Sequence, residues 1–217
     1  MALAIFDLDN TLLSNDSDFL WGQFLVEQGI VDANYYAAKN DQFYAQYQAG
    51  KLDIDEFLRF ALKPLADNKA EDLYRWREQF IEEAIKNVVA PGAQKLLDKH
   101  RQSGDTLMII SATNQFVTRP IADLFGISIL LATQPEKIGG EYSGDYLGTP
   151  TFQQGKVVVL EQWLKNNQQT LQGSYFYSDS QNDLPLLKKV DFPVAVDPDD
   201  ALKAIATKRN WKIISLR

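Results

Sequence analysis

The feature that most constrains the fold is a short apolar run near the start of the sequence, which ends in two carboxylates. Residues 3–6 read Leu-Ala-Ile-Phe, and Asp7 and Asp9 follow at once. A continuous apolar run of this length, bounded by polar turn residues, is typical of a strand covered on both faces of a sheet. We therefore expect a buried strand with both carboxylates at its carboxyl end, where open α/β sheets bind ligands.

The spacing of Asp7 and Asp9 indicates a site for a cation or a proton. Two carboxylates this close repel each other unless a positive charge lies between them, and oxygen ligands suit Mg²⁺. The alternative is a simple turn in which Asp9 and Asn10 bond to their own backbone. The pair alone leaves both interpretations open.

The stretch from about residue 17 to residue 88 predicts helices with few strand signals. Apolar residues recur there at helical spacing, and Asp53 followed by Glu56 is typical of a helix start. From residue 89 onward, strand-like runs at about 106–110, 127–132, 175–177, 192–196 and 211–215 alternate with helical stretches. This rhythm predicts an α/β fold with a Rossmann-like, mostly parallel sheet, interrupted by a helical insert. Residues 136–147 predict a hairpin that projects from the sheet.

Composition excludes several classes of site and partner. The 217 residues carry 22 basic and 29 acidic side chains, a net charge of −7, so we expect no nucleic-acid or membrane partner. No Cys is present, and His100 is the single histidine, so a metal would be held by oxygen. Lys99 and Arg101 flank His100, which we expect at the surface. Neither a signal peptide nor a membrane helix is predicted, and the expected compartment is the cytoplasm.

Four motifs occur in one order along the chain. Asp7-Leu-Asp-Asn-Thr11 and Ser178-Asp-Ser-Gln-Asn-Asp183 follow strand-like runs, Ser111 follows another, and Lys156 opens a helical stretch. Together they resemble the motifs of the haloacid dehalogenase-like superfamily, whose first motif is Asp-x-Asp-x-Thr. Four motifs in order are far more specific than one. The resemblance implies a core domain of residues 1–14 and 89–217 and a helical cap domain of residues 15–88.

The resemblance also implies a role for each motif residue. Asp7 would be the nucleophile that becomes an aspartyl phosphate, and Asp9 the general acid and base. The cofactor would be Mg²⁺, held by the Asp7 and Asp179 carboxylates and the Asp9 main-chain carbonyl, with Asp183 in support. The phosphate-binding residues would be Thr11, Ser111, Lys156 and Asn182.

The implied activity is hydrolysis of a small phosphate monoester. The chain resembles the subfamily of phosphoserine phosphatases, but it has Ala112-Thr113 where these carry Gly-Gly after Ser111, and Ser180 where they carry Gly. Histidinol phosphatase-like members fit the Ser-Asp-Ser pattern at least as well. A phosphotransferase that uses the same intermediate, or a non-catalytic binding module on the same scaffold, are the alternatives. Sequence does not give the oligomeric state.

Residues of the helical insert would recognise the leaving group. Arg59, Arg75 and Arg77 are candidates for binding a carboxylate, and Asp16, Asp18 and Glu56 for binding an amine. An aromatic cluster could either line an aromatic leaving group or form the core of the insert: Tyr35, Tyr36, Phe43, Tyr44 and Tyr47.

Overall fold

The structure is a computed structural model that describes residues 2–217. Its centre is a six-stranded sheet in which every pair of neighbouring strands is parallel. The strands of the chain are β1 (Leu3–Phe6), β2 (Thr106–Ser111), β3 (Ile129–Ala132), β4 (Gln134–Ile138), β5 (Glu141–Leu147), β6 (Tyr175–Ser178), β7 (Phe192–Val196) and β8 (Lys212–Ile214). The predicted α/β class with a mostly parallel sheet is confirmed.

The strand order β3-β2-β1-β6-β7-β8 places β1 in the middle of the sheet. The chain moves outward from β1 through β2 to β3, and later returns to the other side of β1 with β6. The order therefore reverses between β1 and β6, and such a reversal is where open α/β sheets bind ligands.

Strand β1 is apolar throughout because both of its faces are covered. Ala4 and Phe6 belong to one apolar cluster, while Leu3 and Ile5 belong to a second cluster on the opposite face. All four residues are buried. Alternate side chains of a strand point to opposite faces, so a strand between two layers of helices has no polar face.

Helices fill the chain on both sides of the sheet: α1 (Ser17–Glu27), α2 (Ala33–Gln48), α3 (Ile54–Asp67), α4 (Ala70–Phe80), α5 (Ala93–Gln102), α6 (Gln115–Leu124), α7 (Gln154–Asn167), α8 (Leu184–Leu187) and α9 (Asp200–Arg209). Asp16, Asp32 and Asp53 cap the first three helices by accepting main-chain N–H bonds. No helix among residues 2–217 combines the length and apolar character needed to cross a membrane.

Helices α1 to α4 form one excursion of the chain from the sheet. At its two ends Leu13 pairs with Val89 in an isolated bridge, and Ala90 donates its N–H to the Leu12 carbonyl at 2.9 Å. The chain thus leaves and re-enters the sheet region at one place. The division into a core and a helical cap at residues 14/15 and 88/89 agrees with this contact and stays a prediction.

The hairpin predicted for residues 136–147 is present as β4 and β5, which pair antiparallel. It contacts the helical excursion, since the Tyr146 hydroxyl donates to Asp55 at 2.5 Å and Glu141 accepts the Ala70 N–H at 2.8 Å. The hairpin therefore packs against α3 and α4.

The expectation that His100 lies at the surface is wrong. Its side chain is 3% exposed, with Nδ1 at 2.8 Å from an Asp105 oxygen and Nε2 at 2.7 Å from the Tyr177 hydroxyl. The physical reason is helical spacing, because Ala93, Leu97 and His100 are the buried residues of α5 and share one face. The charged neighbours of His100 point elsewhere.

Candidate active site

The motif residues meet at the carboxyl edge of the sheet, where the strand order reverses. Asp7 follows β1, Ser111 ends β2, and Asp179 follows β6. The Asp7 N–H donates to the Tyr177 carbonyl at 2.9 Å, so the pairing of β1 with β6 continues to the first carboxylate. Strand pairing therefore fixes the Asp7 backbone.

A buried ion triad forms the base of the site. The Lys156 Nζ lies 2.7 Å from Asp7 Oδ1 and 2.8 Å from the nearer Asp183 oxygen, and all three side chains are buried. Burial alone would lower the pKa of Lys156, but the carboxylates of Asp183 and Asp7 outweigh it and raise the pKa above its usual value. Lys156 is thus a fixed positive charge beside Asp7.

The start of helix α7 places Lys156 close to the sheet. Gln153, which precedes the helix, has a φ of 46°. A Cβ on Gly155 would lie 1.9 Å from the Pro150 carbonyl oxygen, far inside van der Waals contact. Only glycine allows the chain to pass this carbonyl, and the next residue is Lys156.

Asp9 is held by three donors from two different segments. Its Oδ1 accepts the Ser17 N–H at 2.7 Å, while Oδ2 contacts the Thr113 and Ser111 hydroxyls at 2.8 Å and 3.2 Å. Thr113 is not among the site residues predicted from the motifs. The sequence feature that could have indicated it is its position two residues after Ser111. In the structure, the Thr113 N–H also donates to the Ser111 hydroxyl at 3.1 Å.

Asp179 lies on the other side of Asp7 and is nine-tenths buried. Its Oδ1 accepts the Thr11 hydroxyl at 3.1 Å, so Thr11 orients a carboxylate in this structure. Burial, with the negative charges of Asp7 and Asp183, raises the pKa of Asp179 well above its usual value. Burial and repulsion by the carboxylates of Asp183 and Asp9 raise the pKa of Asp7 to about 7, although Lys156 partly offsets them. The site therefore holds more negative charge than Lys156 compensates.

This excess charge fits a divalent cation held by oxygen. Among residues 2–217, no three carboxylate, imidazole or thiolate side chains are placed to ligate one ion. A Mg²⁺ site would accordingly use two carboxylates, Asp7 and Asp179, with main-chain and solvent oxygens completing the shell. Mg²⁺ commonly binds few protein ligands and keeps several waters.

The last motif connects the site to the helical excursion. Ser178 donates its hydroxyl to Asp183 at 2.7 Å, which supports the carboxylate that contacts Lys156. The Asn182 Nδ2 donates to the Tyr47 carbonyl at 3.0 Å, and its Oδ1 accepts from the Gln153 side chain at 3.0 Å. Asn182, predicted to reach the phosphoryl group, thus bonds to the end of α2 in this structure.

A pocket extends from Asp7, Asp9 and Lys156 into the helical excursion. Its lining includes Asp16 and Asp18 but none of the three arginines considered above. Arg59 and Arg75 are exposed, and Arg77 lies over the Tyr74 and Phe116 rings in a separate groove. Glu56, the third candidate for an amine, is exposed and pairs with Lys39 at 3.4 Å.

The aromatic cluster divides between the pocket and the packing of the helices. Phe43, Tyr44 and Tyr47 line the pocket. Tyr36 packs against Phe60 with ring centroids 4.4 Å apart and the ring planes tilted by 34°, and Tyr35 is exposed. Core packing is thus shown for Tyr36, whereas contact of Phe43, Tyr44 and Tyr47 with an aromatic leaving group stays a prediction.

Comparison with known proteins establishes the family. The profile described as haloacid dehalogenase-like hydrolase matches residues 4–188. The chain belongs to the haloacid dehalogenase-like hydrolase family. It is 45% identical over 219 residues to a histidinol-phosphatase of Neisseria meningitidis serogroup C, covering 99% of each chain. It is 28% identical to a phosphoserine phosphatase of Mycobacterium tuberculosis, covering 100% of this chain and 71% of the relative.

Solved structures agree with this family membership. A Bordetella pertussis Tohama I protein of unknown function has a TM-score of 0.93 at 40% identity, with 100% and 99% of the two chains covered. A phospho-aspartyl intermediate analogue of phosphoserine phosphatase has a TM-score of 0.71 at 20% identity, with 100% and 93% covered, and shares the fold. The family resemblance drawn from the four motifs is confirmed, and the chain is an enzyme of the phosphatase class.

Proposed function

We propose that the chain is a Mg²⁺-dependent phosphomonoesterase that acts through an aspartyl phosphate on a small metabolite. The observation that carries the proposal is the Asp7 carboxylate. Its Oδ1 is fixed by Lys156 at 2.7 Å, and in the described part of the chain its Oδ2 has no hydrogen-bond partner. One oxygen is thus held while the other is free to attack, at the base of a pocket.

In the first step, an Asp7 oxygen would form a bond to phosphorus while the bond to the ester oxygen breaks. Negative charge grows on the leaving oxygen, and a proton must reach it. Lys156 would offset charge on the transferring phosphoryl group throughout, because it is buried and already paired to the attacking carboxylate. In the second step, water would attack phosphorus and release Asp7 and inorganic phosphate.

Asp9 is the group suited to give the leaving alcohol its proton and then to take one from water. Its Oδ1 faces a main-chain N–H, which can only donate, so Oδ1 remains an acceptor. Its Oδ2 faces the Thr113 and Ser111 hydroxyls, which can rotate to donate or to accept. Oδ2 is therefore the atom that can hold the proton without losing its partners.

The residues that would hold Mg²⁺ are Asp7 and Asp179, with the Asp9 main-chain carbonyl. A cation there would neutralise charge on the phosphate as it binds. Thr11 supports the Asp179 carboxylate, and Ser178 supports Asp183. Supporting bonds of this kind orient the ligands, and their loss typically lowers metal affinity or activity about 10- to 100-fold.

Histidinol phosphate is the first candidate substrate and phosphoserine the second. The Neisseria relative named histidinol-phosphatase matches nearly the whole chain at 45% identity, whereas the Mycobacterium relative named phosphoserine phosphatase matches at 28%. Histidinol phosphate and phosphoserine are both small soluble metabolites, in keeping with the expected cytoplasmic location.

The test is release of phosphate from a panel of monoesters, with Mg²⁺ or with a chelator, by the wild type and by Asp7→Asn. This substitution keeps the side-chain shape and removes the nucleophile. We expect metal-dependent hydrolysis by the wild type, highest for histidinol phosphate, and none by the variant. A folded wild type that releases no phosphate from any ester would overturn the proposal, and transfer to an added alcohol would favour a phosphotransferase.

A further inference from the structure

The pocket that contains Asp7 is lined largely by apolar side chains. Its aromatic members come from α1, α2, α3 and the segment before α7: Phe19, Phe43, Tyr44, Tyr47, Phe57 and Phe152. Such a lining suits a leaving group with a ring or a short carbon chain.

The charged side chains of this pocket are unevenly distributed. Lys156 is its only cation among the described residues, and both neighbouring carboxylates already bind it. Away from the reacting centre, the charged lining residues are Asp16 and Asp18. A substrate carboxylate would meet negative charge there with no free cation to bind it.

Asp16 and Asp18 differ in what they already bind. The Asp16 carboxylate accepts the Asp18 and Phe19 N–H groups, both at 2.9 Å, and so serves as the cap of α1. The Asp18 carboxylate is half-buried and has no hydrogen-bond or ion-pair partner among residues 2–217. Burial, and then repulsion by Asp9, raise its pKa to about 7, as expected for a carboxylate that lacks a counter-ion.

A second polar group with a free acceptor lines the same pocket. Asn40 is 8% exposed and lines the same pocket as Asp18. Its Nδ2 makes one long contact, 3.5 Å to the Phe19 carbonyl, and no described residue donates to its Oδ1. This oxygen is not one of the fully buried atoms that lack a partner, so it is accessible to solvent and free to accept a hydrogen bond from a ligand.

We propose that Asp18, with the amide oxygen of Asn40, binds a protonated amine of the leaving alcohol, so that the site selects phosphate esters of amino alcohols without a carboxylate. An ammonium offers three donors and a positive charge, which match one carboxylate and one amide oxygen. This inference rests on the proposed phosphatase function and names the part of the substrate that the pocket recognises.

The charges of this pocket also distinguish the two candidate substrates. Histidinol phosphate carries an amine and a flat ring but no carboxylate, so each part has a complement in the pocket. Phosphoserine carries a carboxylate beside its amine, and this group would lie close to Asp9, Asp16 or Asp18. The pocket therefore favours histidinol phosphate.

The test compares esters that differ in one group. Ethyl phosphate, 2-aminoethyl phosphate and phosphoserine add first the amine and then the carboxylate to the same two-carbon chain. We expect the wild type to have a higher kcat/KM for 2-aminoethyl phosphate than for either of the others. In Asp18→Asn, the ratio of kcat/KM for 2-aminoethyl phosphate to that for ethyl phosphate should fall about 10- to 100-fold, as for a lost charged hydrogen bond.

Glu27→Gln is the matched control, because Glu27 is an exposed carboxylate at the other end of the same helix. Its ratio should equal that of the wild type. An equal loss for both esters in Asp18→Asn, or phosphoserine as the best of the three for the wild type, would overturn the inference. Absence of hydrolysis of all three esters and of p-nitrophenyl phosphate by the wild type would instead overturn the proposed function, so the two failures are distinct.

Discussion

Replacing Lys156 by Gln removes the single positive charge from a buried group of carboxylates. Its Nζ lies 2.7 Å from Asp7 and 2.8 Å from Asp183, and solvent screens these pairs only weakly because all three side chains are at most 5% exposed. Removing one partner of a buried ion pair costs about 3–5 kcal/mol, since the remaining charge is left without compensation. A domain of this size has a total stability of about 5–15 kcal/mol, so the loss is a large fraction.

Mg²⁺ should reduce the stability loss in Lys156→Gln. A cation that binds only the folded protein adds about 2.7 kcal/mol when its concentration is 100 times its Kd. In the variant, a cation near Asp7 would also supply part of the missing positive charge. We therefore expect the difference between wild type and Lys156→Gln to be largest in EDTA and smaller at saturating Mg²⁺.

The assay is urea unfolding of both proteins in EDTA and in Mg²⁺, followed by circular dichroism. Lys165→Gln is the control, because Lys165 is an exposed residue of the same helix and its loss should change stability by at most about 0.5 kcal/mol. Phosphatase activity of Lys156→Gln should fall about 10²–10³-fold, as for loss of one charge-stabilising group. Equal stability of Lys156→Gln and Lys165→Gln in EDTA would refute the reasoning.

Three further predictions follow from single features of the structure. His100→Ala should lower the free energy of unfolding by about 3 kcal/mol, because it leaves Asp105 and Tyr177 without a buried partner. A free energy of unfolding equal to that of the wild type in urea would contradict a stabilising role for these two contacts. Gly155→Ala should reduce phosphatase activity at least about tenfold, because its Cβ would meet a main-chain carbonyl at 1.9 Å. If the variant kept the kcat and KM of the wild type, the start of the helix could shift without moving Lys156, and the prediction would be wrong. In EDTA, the free energy of unfolding should rise as pH falls from about 7 toward 4, because the pKa of Asp7 is raised from 3.8 to about 7 and the folded state binds the proton first. Saturating Mg²⁺ should weaken this trend. A urea midpoint that does not change with pH in EDTA would contradict the prediction.

The sheet and its site edge were predictable because they depend on local patterns. The apolar run of β1 can be covered on both faces only inside a parallel sheet, and polar residues that follow such strands must meet at one edge. Asp7, Ser111 and Asp179 lie where these patterns place them. The hairpin was equally local, since its glycines and alternation determine it.

Features that depend on distant contacts were not predictable from one sequence. His100 is buried because of the helix face it shares, and its partner Tyr177 lies on a strand 77 residues later in the chain. Thr113 bonds to Asp9 across 104 residues, and Asn182 reaches the end of α2 across 135. A residue type carries no mark of which distant group it will face, so these contacts needed the fold.

Trapping the aspartyl phosphate tests the central claim most directly. Borohydride reduces an acyl phosphate to an alcohol, so wild-type protein quenched during turnover with ester and Mg²⁺ should show homoserine in place of Asp7 by peptide mass spectrometry. Neither Asp7→Asn nor wild type without ester should show this product. Full phosphatase activity in Asp7→Asn, or wild-type turnover with no homoserine at position 7, would contradict the account.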